Sequence, residues 1–155
     1  MKTYKEHWKN EYVAARYNWY VNNRPLAVAA DLVPLPALPD VRKANGLTKF
    51  VIGMIEGWGG YANRISSAGR MINKGVGKIY IPGTTKKGTA DIHAIIGGIH
   101  YSIEIKIGND VMSKFQHAEA ERITKAGGNY YVIKTAEQFI ELFSNKLKPS
   151  PELTK

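Results

Sequence analysis

Residues 88–106, GTADIHAIIGGIHYSIEIK, contain the clearest structural signal in this sequence. Its two apolar arms flank Gly97-Gly98, a two-residue link that is typical of a tight β-hairpin. With this link as the turn, the numbers of paired residues sum to 195, and Asp91 therefore faces Glu104. Facing side chains have Cβ atoms roughly 5 Å apart. The stretch thus predicts two carboxylates within reach of one ion.

The alternation of polar and apolar residues supports this register. Lys106 falls on the face of Glu104, and His93 falls on that face opposite Ser102. The alternative is an ordinary solvent face, on which Asp91, Glu104 and Lys106 form a surface salt bridge of little consequence. The residues expected on the other, buried face are Ile92, Ala94, Ile96, Ile103, Ile105 and Ile107.

The facing carboxylates point to phosphodiester chemistry. Like charges opposite each other destabilise a sheet, so the pair needs Lys106 or a bound cation to balance it. Two carboxylates with water and phosphate oxygens suit Mg²⁺, for which Mn²⁺ can substitute. Such an ion polarises a phosphodiester and lowers the pKa of an attacking water. The four histidines show no paired metal spacing, and no P-loop or dinucleotide fingerprint is present.

The charge of the chain is concentrated next to this hairpin. Among 155 residues, 22 Lys and Arg exceed 13 Asp and Glu, for a net charge of +9. Between Gly57 and Ala90 there is no acidic residue, which suits a phosphate backbone. The alternative is a solvated loop region of a basic protein. The expected nucleic-acid contacts are Arg64, Arg70, Lys74, Lys86, Lys87 and Lys114.

The rest of the chain predicts an α/β domain with a mixed sheet. Helical periodicity is found over residues 4–21, 47–58, 112–126 and 136–147, and strand patterns over 61–67, 78–81, 90–96, 99–107 and 130–133. We expect an N-terminal helix and Pro-rich linker over 1–43, a main domain over 44–147 and a flexible tail over 148–155.

The first helix carries an aromatic stripe, whose members are Tyr4, Trp8, Tyr12, Ala15 and Trp19. Such a stripe favours a core or oligomer contact over the stacking of bases. The chain has no cysteine, which excludes disulfide scaffolds, cysteine zinc sites and thiol nucleophiles. No membrane-spanning or targeting segment is recognised, and a cytoplasmic protein is expected.

The motifs GTAD at 88–91 and IEIK at 103–106 resemble the D…(D/E)-x-K signature of the PD-(D/E)XK nuclease superfamily. About two-thirds of the chain, from residue 45 to Phe139, resembles one branch, the virus-type replication-repair nuclease (VRR-NUC) domain. The matched positions are Gly60, Arg64, Gly69, Gly88 to Asp91, Glu104 to Lys106, Gln116 and Gly127 to Ile133. Family members often carry a glutamate in the first helix, where this sequence has Asn45 and Thr48.

The resemblance implies a restriction-endonuclease-like core, a mixed sheet flanked by helices, with an N-terminal helical extension. It further implies a Mg²⁺-dependent DNA endonuclease, with Asp91, Glu104 and the carbonyl of Ile105 as metal ligands. Lys106 would orient or activate the water, and Gln116 would buttress the site or contact a phosphate. The number of metal ions is left open.

The expected activity is structure-selective cleavage of the Holliday-junction-resolving or DNA-repair type, in a bacterial or phage-infected cell. A homodimer is expected, because symmetric cleavage of two strands needs two sites. The alternative is a nuclease fold without cleavage that keeps its affinity for nucleic acid.

Overall fold

The computed structural model describes residues 7–25, 29, 32–65, 70–75, 77–81, 83 and 85–147. Within these residues the elements are α1 (His7–Asn23), α2 (Ala44–Gly57), β1 (Tyr61–Arg64), β2 (Arg70–Lys74), β3 (Gly77–Ile81), β4 (Ile92–Ile96), β5 (Ile99–Ile105), α3 (Lys114–Lys125), β6 (Asn129–Ile133) and α4 (Ala136–Leu147).

The main sheet has the order β1-β4-β5-β6 and is mixed, since only the pairing of β5 with β6 is parallel. The predicted α/β class and mixed sheet are therefore confirmed. The β4–β5 register is also the predicted one, with Ile92 opposite Ile103 and Ile96 opposite Ile99. Gly97 and Gly98 both have positive φ, +57° and +79°, as a two-residue type I′ turn requires.

The core lies on one face of this sheet, beneath α2 and α4. Phe50 and Met54 from α2 and Phe139 and Phe143 from α4 are fully buried there. The rings of Phe139 and Phe143 stack with centroids 4.8 Å apart. The predicted core face is confirmed, since its members are buried and the last of them, Ile107, is half-buried against the core.

Helix α1 packs on α2 and contributes to the same core. Trp8 and Tyr12 are buried, and both rings contact Phe50, at centroid distances of 5.4 and 5.5 Å. Arg16 forms an ion pair with Glu56 of α2, with 2.7 Å between Nη1 and Oε2. The predicted aromatic stripe is thus a core contact at Trp8 and Tyr12. Its first member, Tyr4, lies outside the described residues.

The segment that follows β1 differs from the prediction. Residues 70–74 were expected in a Gly-rich loop, but they form β2, which pairs with β3 in a separate two-stranded sheet. This strand is hard to recognise in the sequence, because Asn73, Lys74 and the neighbouring glycines are poor strand formers. Its pairing with β3 stabilises it in the folded chain. The predicted end of β1, residues 66–67, and the tail 148–155 lie outside the described residues. Helix α3 begins at Lys114 rather than at Met112, because Ser113 caps it.

The described helices include none that is long and apolar enough to cross a bilayer.

Close approach of α1 to α2 depends on Gly57. A Cβ atom at this position would lie 2.6 Å from the carbonyl of Ala15, too close for any carbon contact. We expect Gly57→Ala to force α1 away from α2 and to lower the free energy of unfolding by about 1–2 kcal/mol. Urea unfolding followed by circular dichroism measures this change.

The matched control is Gly75→Ala, because a Cβ at Gly75 would meet no heavy atom within 4 Å. It should change the unfolding midpoint much less. Equal midpoints for the two variants would contradict the importance of the α1–α2 contact at Gly57.

Candidate functional site

The carboxylate of Asp91 is held at the end of β5. Its Oδ2 atom accepts a hydrogen bond from the backbone N–H of Ile105 at 2.9 Å, and its backbone carbonyl accepts from Ile65 at 2.8 Å. In a strand, the N–H and C=O of one residue point to the same side. The carbonyl of Ile105 is therefore directed to the edge at which Asp91 lies. This arrangement brings together two of the three predicted metal ligands.

Glu104, the third of these, is buried, with only 2% of its surface exposed. Its Oε1 atom accepts from Lys106 Nζ at 3.0 Å and from Gln116 Nε2. Its Oε2 atom has a longer contact, 3.5 Å, with the hydroxyl of Tyr130. Burial and the charge of Asp91 raise the pKa of Glu104, and the cation of Lys106 offsets this only in part.

The donors around Glu104 determine which oxygen can serve a metal. Each carboxylate oxygen has two acceptor positions, so Lys106 and Gln116 occupy both positions on Oε1. Oε2 has only the weak contact with Tyr130. Oε2 is therefore the Glu104 atom available to an ion.

The described residues contain no group of three or more His, Asp and Glu side chains that could hold a metal ion. The set found here, two carboxylates and a backbone carbonyl, supplies few protein ligands. Mg²⁺ accepts such a set, because it commonly keeps several waters and binds substrate phosphate oxygens. The residues present fit a Mg²⁺ ion that completes its shell with water and substrate.

Lys106 is buried between two acids. Its Nζ atom lies 3.0 Å from Glu104 Oε1 and 3.5 Å from Asp110 Oδ2. Burial alone would lower the pKa of Lys106, but the two carboxylates outweigh it and raise the pKa above the ordinary value. The backbone N–H of Lys106 donates to Ile133 at 3.0 Å, which ties the residue to β6. A fixed ammonium group therefore stands beside the proposed ligands.

Gln116 connects helix α3 to Glu104. It occupies the third helical position and forms a capping box with Ser113: its backbone N–H donates to Ser113 Oγ, while its Oε1 accepts from the backbone N–H of Ser113 at 2.8 Å. The remaining amide group is thereby aimed at Glu104. The predicted roles of Gln116 were to support the site or to contact a phosphate. Its hydrogen bond to Glu104 is the contact expected of a supporting residue.

The start of α3 lies directly against Gly88 of the GTAD motif. A Cβ at Gly88 would be 2.2 Å from the carbonyl oxygen of Phe115, and the φ angle of Gly88 is +89°. Both the space and the backbone angle require glycine. Gly88 thus lets α3, and with it Gln116, approach the acidic pair.

Three of the predicted nucleic-acid contacts converge beside Gln116. The Nζ atoms of Lys87 and Lys114 lie 5.4 and 5.3 Å from the ring centroid of Phe115. A cavity of about 370 Å³, here named the lysine cleft, adjoins this ring. The residues that line it include Tyr80, Lys86, Lys87, Phe115 and Gln116.

Of the other three predicted contacts, the structure describes the side chain of Arg64 alone. Arg64 lies at the end of β1, and its guanidinium donates to Asn45 Oδ1 at 2.7 Å. Arg70 and Lys74 belong to β2, but their side chains lie outside the described part of the structure. Thr48, the other residue at the start of α2, is buried and donates to the carbonyl of Ala44. The first turn of α2 contains no acid, so it adds no third carboxylate.

His93 was not expected to act, and it occupies a half-buried position opposite Ser102, as predicted. Its ring packs edge-on against His100 at 5.1 Å. Burial and the neighbouring His100 lower its pKa. These contacts make His93 a packing residue of the sheet.

Sequence reasoning missed two residues of the cluster, Tyr130 and Asp110. Tyr130 reaches Glu104 because β6 runs parallel to β5 and pairs it with Ser102. No short turn sets the register of parallel strands, so sequence spacing contained no signal for this contact. Asp110 lies in the turn after β5, four residues beyond Lys106. An acid so close to a predicted catalytic lysine could have been considered.

Comparison of this chain with models of protein families, with curated proteins and with solved structures finds no match.

Proposed function

We propose that this protein is a Mg²⁺-dependent DNA endonuclease with a PD-(D/E)XK core of the VRR-NUC type. The observation that carries the proposal is the cluster at the end of β5. In it, Asp91 is bonded to the N–H of Ile105, beside the buried ion pair of Glu104 and Lys106. The lysine cleft is lined by Lys86 and Lys87 and adjoins the same cluster through Gln116. Lys87 and Lys114 both lie near the ring of Phe115.

Each residue of the cluster has a role that its contacts support. Asp91, Glu104 through Oε2, and the carbonyl of Ile105 would hold a Mg²⁺ or Mn²⁺ ion. When bound, such an ion polarises a phosphodiester and lowers the pKa of an attacking water. Lys106 has only donors to offer and would orient that water. Gln116 keeps Glu104 in place through its capped position on α3.

The lysine cleft would hold the phosphate backbone. Lys86 and Lys87 are exposed on one wall, and Lys114 lies over the ring of Phe115. Phosphate contacts of this kind position a nucleic acid without reading its sequence. Selection would therefore act on DNA structure, as in Holliday-junction resolution or repair. The proposed enzyme is a homodimer, which would cut two strands symmetrically in the cytoplasm of a bacterial or phage-infected cell.

Replacement of Asp91 by asparagine tests catalysis. Asp91→Asn keeps an oxygen that can accept from Ile105 but removes the charge that the ion needs. We expect Mg²⁺-dependent cleavage of four-way junctions, flaps and linear duplexes to fall by about a hundredfold or more for every DNA that the wild type cuts. Gel assays over time provide the rates.

The control is Glu121→Gln, which removes one negative charge from an exposed position on α3. It should cut at the wild-type rate. If Asp91→Asn cuts as fast as the wild type, the proposed site is wrong. If the wild type binds DNA but never cuts it with Mg²⁺ or Mn²⁺, the protein is the non-catalytic binding module instead.

Metal binding can be tested without DNA. An ion that binds only the folded protein raises its stability, by about 1.4 kcal/mol at tenfold excess over Kd. We expect Mg²⁺ and Mn²⁺ to raise the Tm of the wild type and of Glu121→Gln in calorimetry at constant ionic strength. The same titration should leave the Tm of Asp91→Asn nearly unchanged. A Tm rise of equal size in Asp91→Asn would mean that the ion binds elsewhere.

A further inference from the structure

The two-stranded sheet formed by β2 and β3, here named the ribbon, exposes large apolar side chains. Met71 is 58% exposed and Tyr80 is 59% exposed. Ile79 and Ile81 are also exposed. Among the described residues, the two strands make their extensive contacts with each other rather than with the main sheet or a helix. Because side chains alternate along a strand, Tyr80 lies on one face of the ribbon, and Ile79 and Ile81 lie on the other. Adjacent exposed apolar side chains mark a binding site more often than isolated ones do.

The register of the ribbon places Met71 directly opposite Tyr80. Directly opposed residues share a face, so the thioether and the phenol ring lie side by side. Asn73 and Lys78 form the next pair on this face, two residues further along each strand. One face of the ribbon thus presents a flat apolar pair followed by an amide and an ammonium group.

Charge favours a polyanion as the occupant of this face. Lys78 is exposed on β3, and the whole segment from Gly57 to Ala90 contains no acid. A second copy of the ribbon would bring like charges together. A nucleic acid fits both the positive charge and the apolar pair of this face, because its phosphates attract the lysines and its bases stack on apolar groups and aromatic rings.

The ribbon is also continuous with the proposed catalytic cluster. Tyr80 lines the lysine cleft, whose other residues include Lys87 and Gln116. Gln116 in turn donates to Glu104. A strand of DNA that passes through the cleft to Glu104 therefore also passes the ribbon.

We propose that the ribbon recognises unstacked bases at a branch point of DNA, with Tyr80 and Met71 as the stacking surface. This inference rests on the proposed nuclease function and adds the surface that would contact the branch point. In an intact duplex both faces of each base are already stacked, and inserting a side chain costs unstacking energy. At a branch point this cost is lower, and a free base face can stack on Tyr80.

The experiment measures binding without cleavage. Fluorescence anisotropy in EDTA follows binding of the full chain to a labelled four-way junction and to a linear duplex of equal length and composition. The variants are Tyr80→Ala, which removes the ring, and Tyr80→Phe, which keeps it. The matched control is Tyr61→Ala, because Tyr61 is equally exposed, at 60%, but lies on the main sheet.

We expect Tyr80→Ala to weaken junction binding by about tenfold, within the range of losses seen when a stacking ring is removed. Its binding to the linear duplex should change by less than about twofold, because phosphate contacts remain. Tyr80→Phe and Tyr61→Ala should bind both DNAs as the wild type does. The proposal is overturned if Tyr80→Ala weakens both DNAs equally or neither, or if Tyr61→Ala weakens junction binding as strongly.

Light scattering without DNA tests whether the ribbon instead binds a second copy of this chain. If Tyr80→Ala changes the oligomeric state of the protein, the ribbon is a protein contact and the proposal fails. An unchanged state supports it.

The two proposals fail separately. Selective junction binding that depends on Tyr80, without any Mg²⁺-dependent cleavage, would support the ribbon and refute the nuclease. If cleavage depends on Asp91 but junction binding does not depend on Tyr80, the nuclease proposal is supported and the ribbon proposal is refuted.

Discussion

The buried carboxylate of Glu104 makes the strongest demand on its surroundings, because its charge must be balanced by protein donors. An ionised group without water is costly, and here three donors, Lys106, Gln116 and Tyr130, surround it. Replacing a buried ion pair with apolar residues is often neutral or stabilising by about 1–4 kcal/mol. The core of this sheet therefore has no need of Glu104 and Lys106 for its own stability. Their presence at the buried end of β5 agrees with the catalytic role proposed for them.

Several local features of the chain serve this one carboxylate. The capping box at Ser113 fixes the side chain of Gln116, and Gly88 allows the start of α3 to come close. The parallel pairing of β5 with β6 brings Tyr130 to the same place. Helix capping, a glycine contact and strand order thus act together, although each belongs to a different element. The lysine cleft is formed by the same approach of Gly88 to Phe115.

Sequence reasoning succeeded where local rules determine structure. The turn at Gly97-Gly98 and the alternation of its arms were sufficient for the hairpin register, whose last pair is Ile92 with Ile103. Asp91 lies just beyond this pair and bonds to the backbone of Ile105. Sequence reasoning failed where contacts between distant segments of the chain determine the structure. Strand β2 becomes recognisable only beside β3, and Tyr130 reaches the cluster only through a parallel pairing. Helix α3 brings Gln116 to Glu104 on the polar face of the hairpin. The spacing within residues 88–106 contains no information about the packing of this helix.

The two-residue turn at Gly97-Gly98 also bears on the order in which the protein folds. A hairpin closes a short loop, so its contacts form within microseconds, earlier than contacts between distant segments. The acidic pair is thus assembled by a local event. The donors from α3 and β6 arrive only after the chain has crossed over to complete the parallel pairing. We therefore expect Asp91 and Glu104 to come near each other while both are still hydrated, and Glu104 to lose its water when the donors from α3 and β6 arrive.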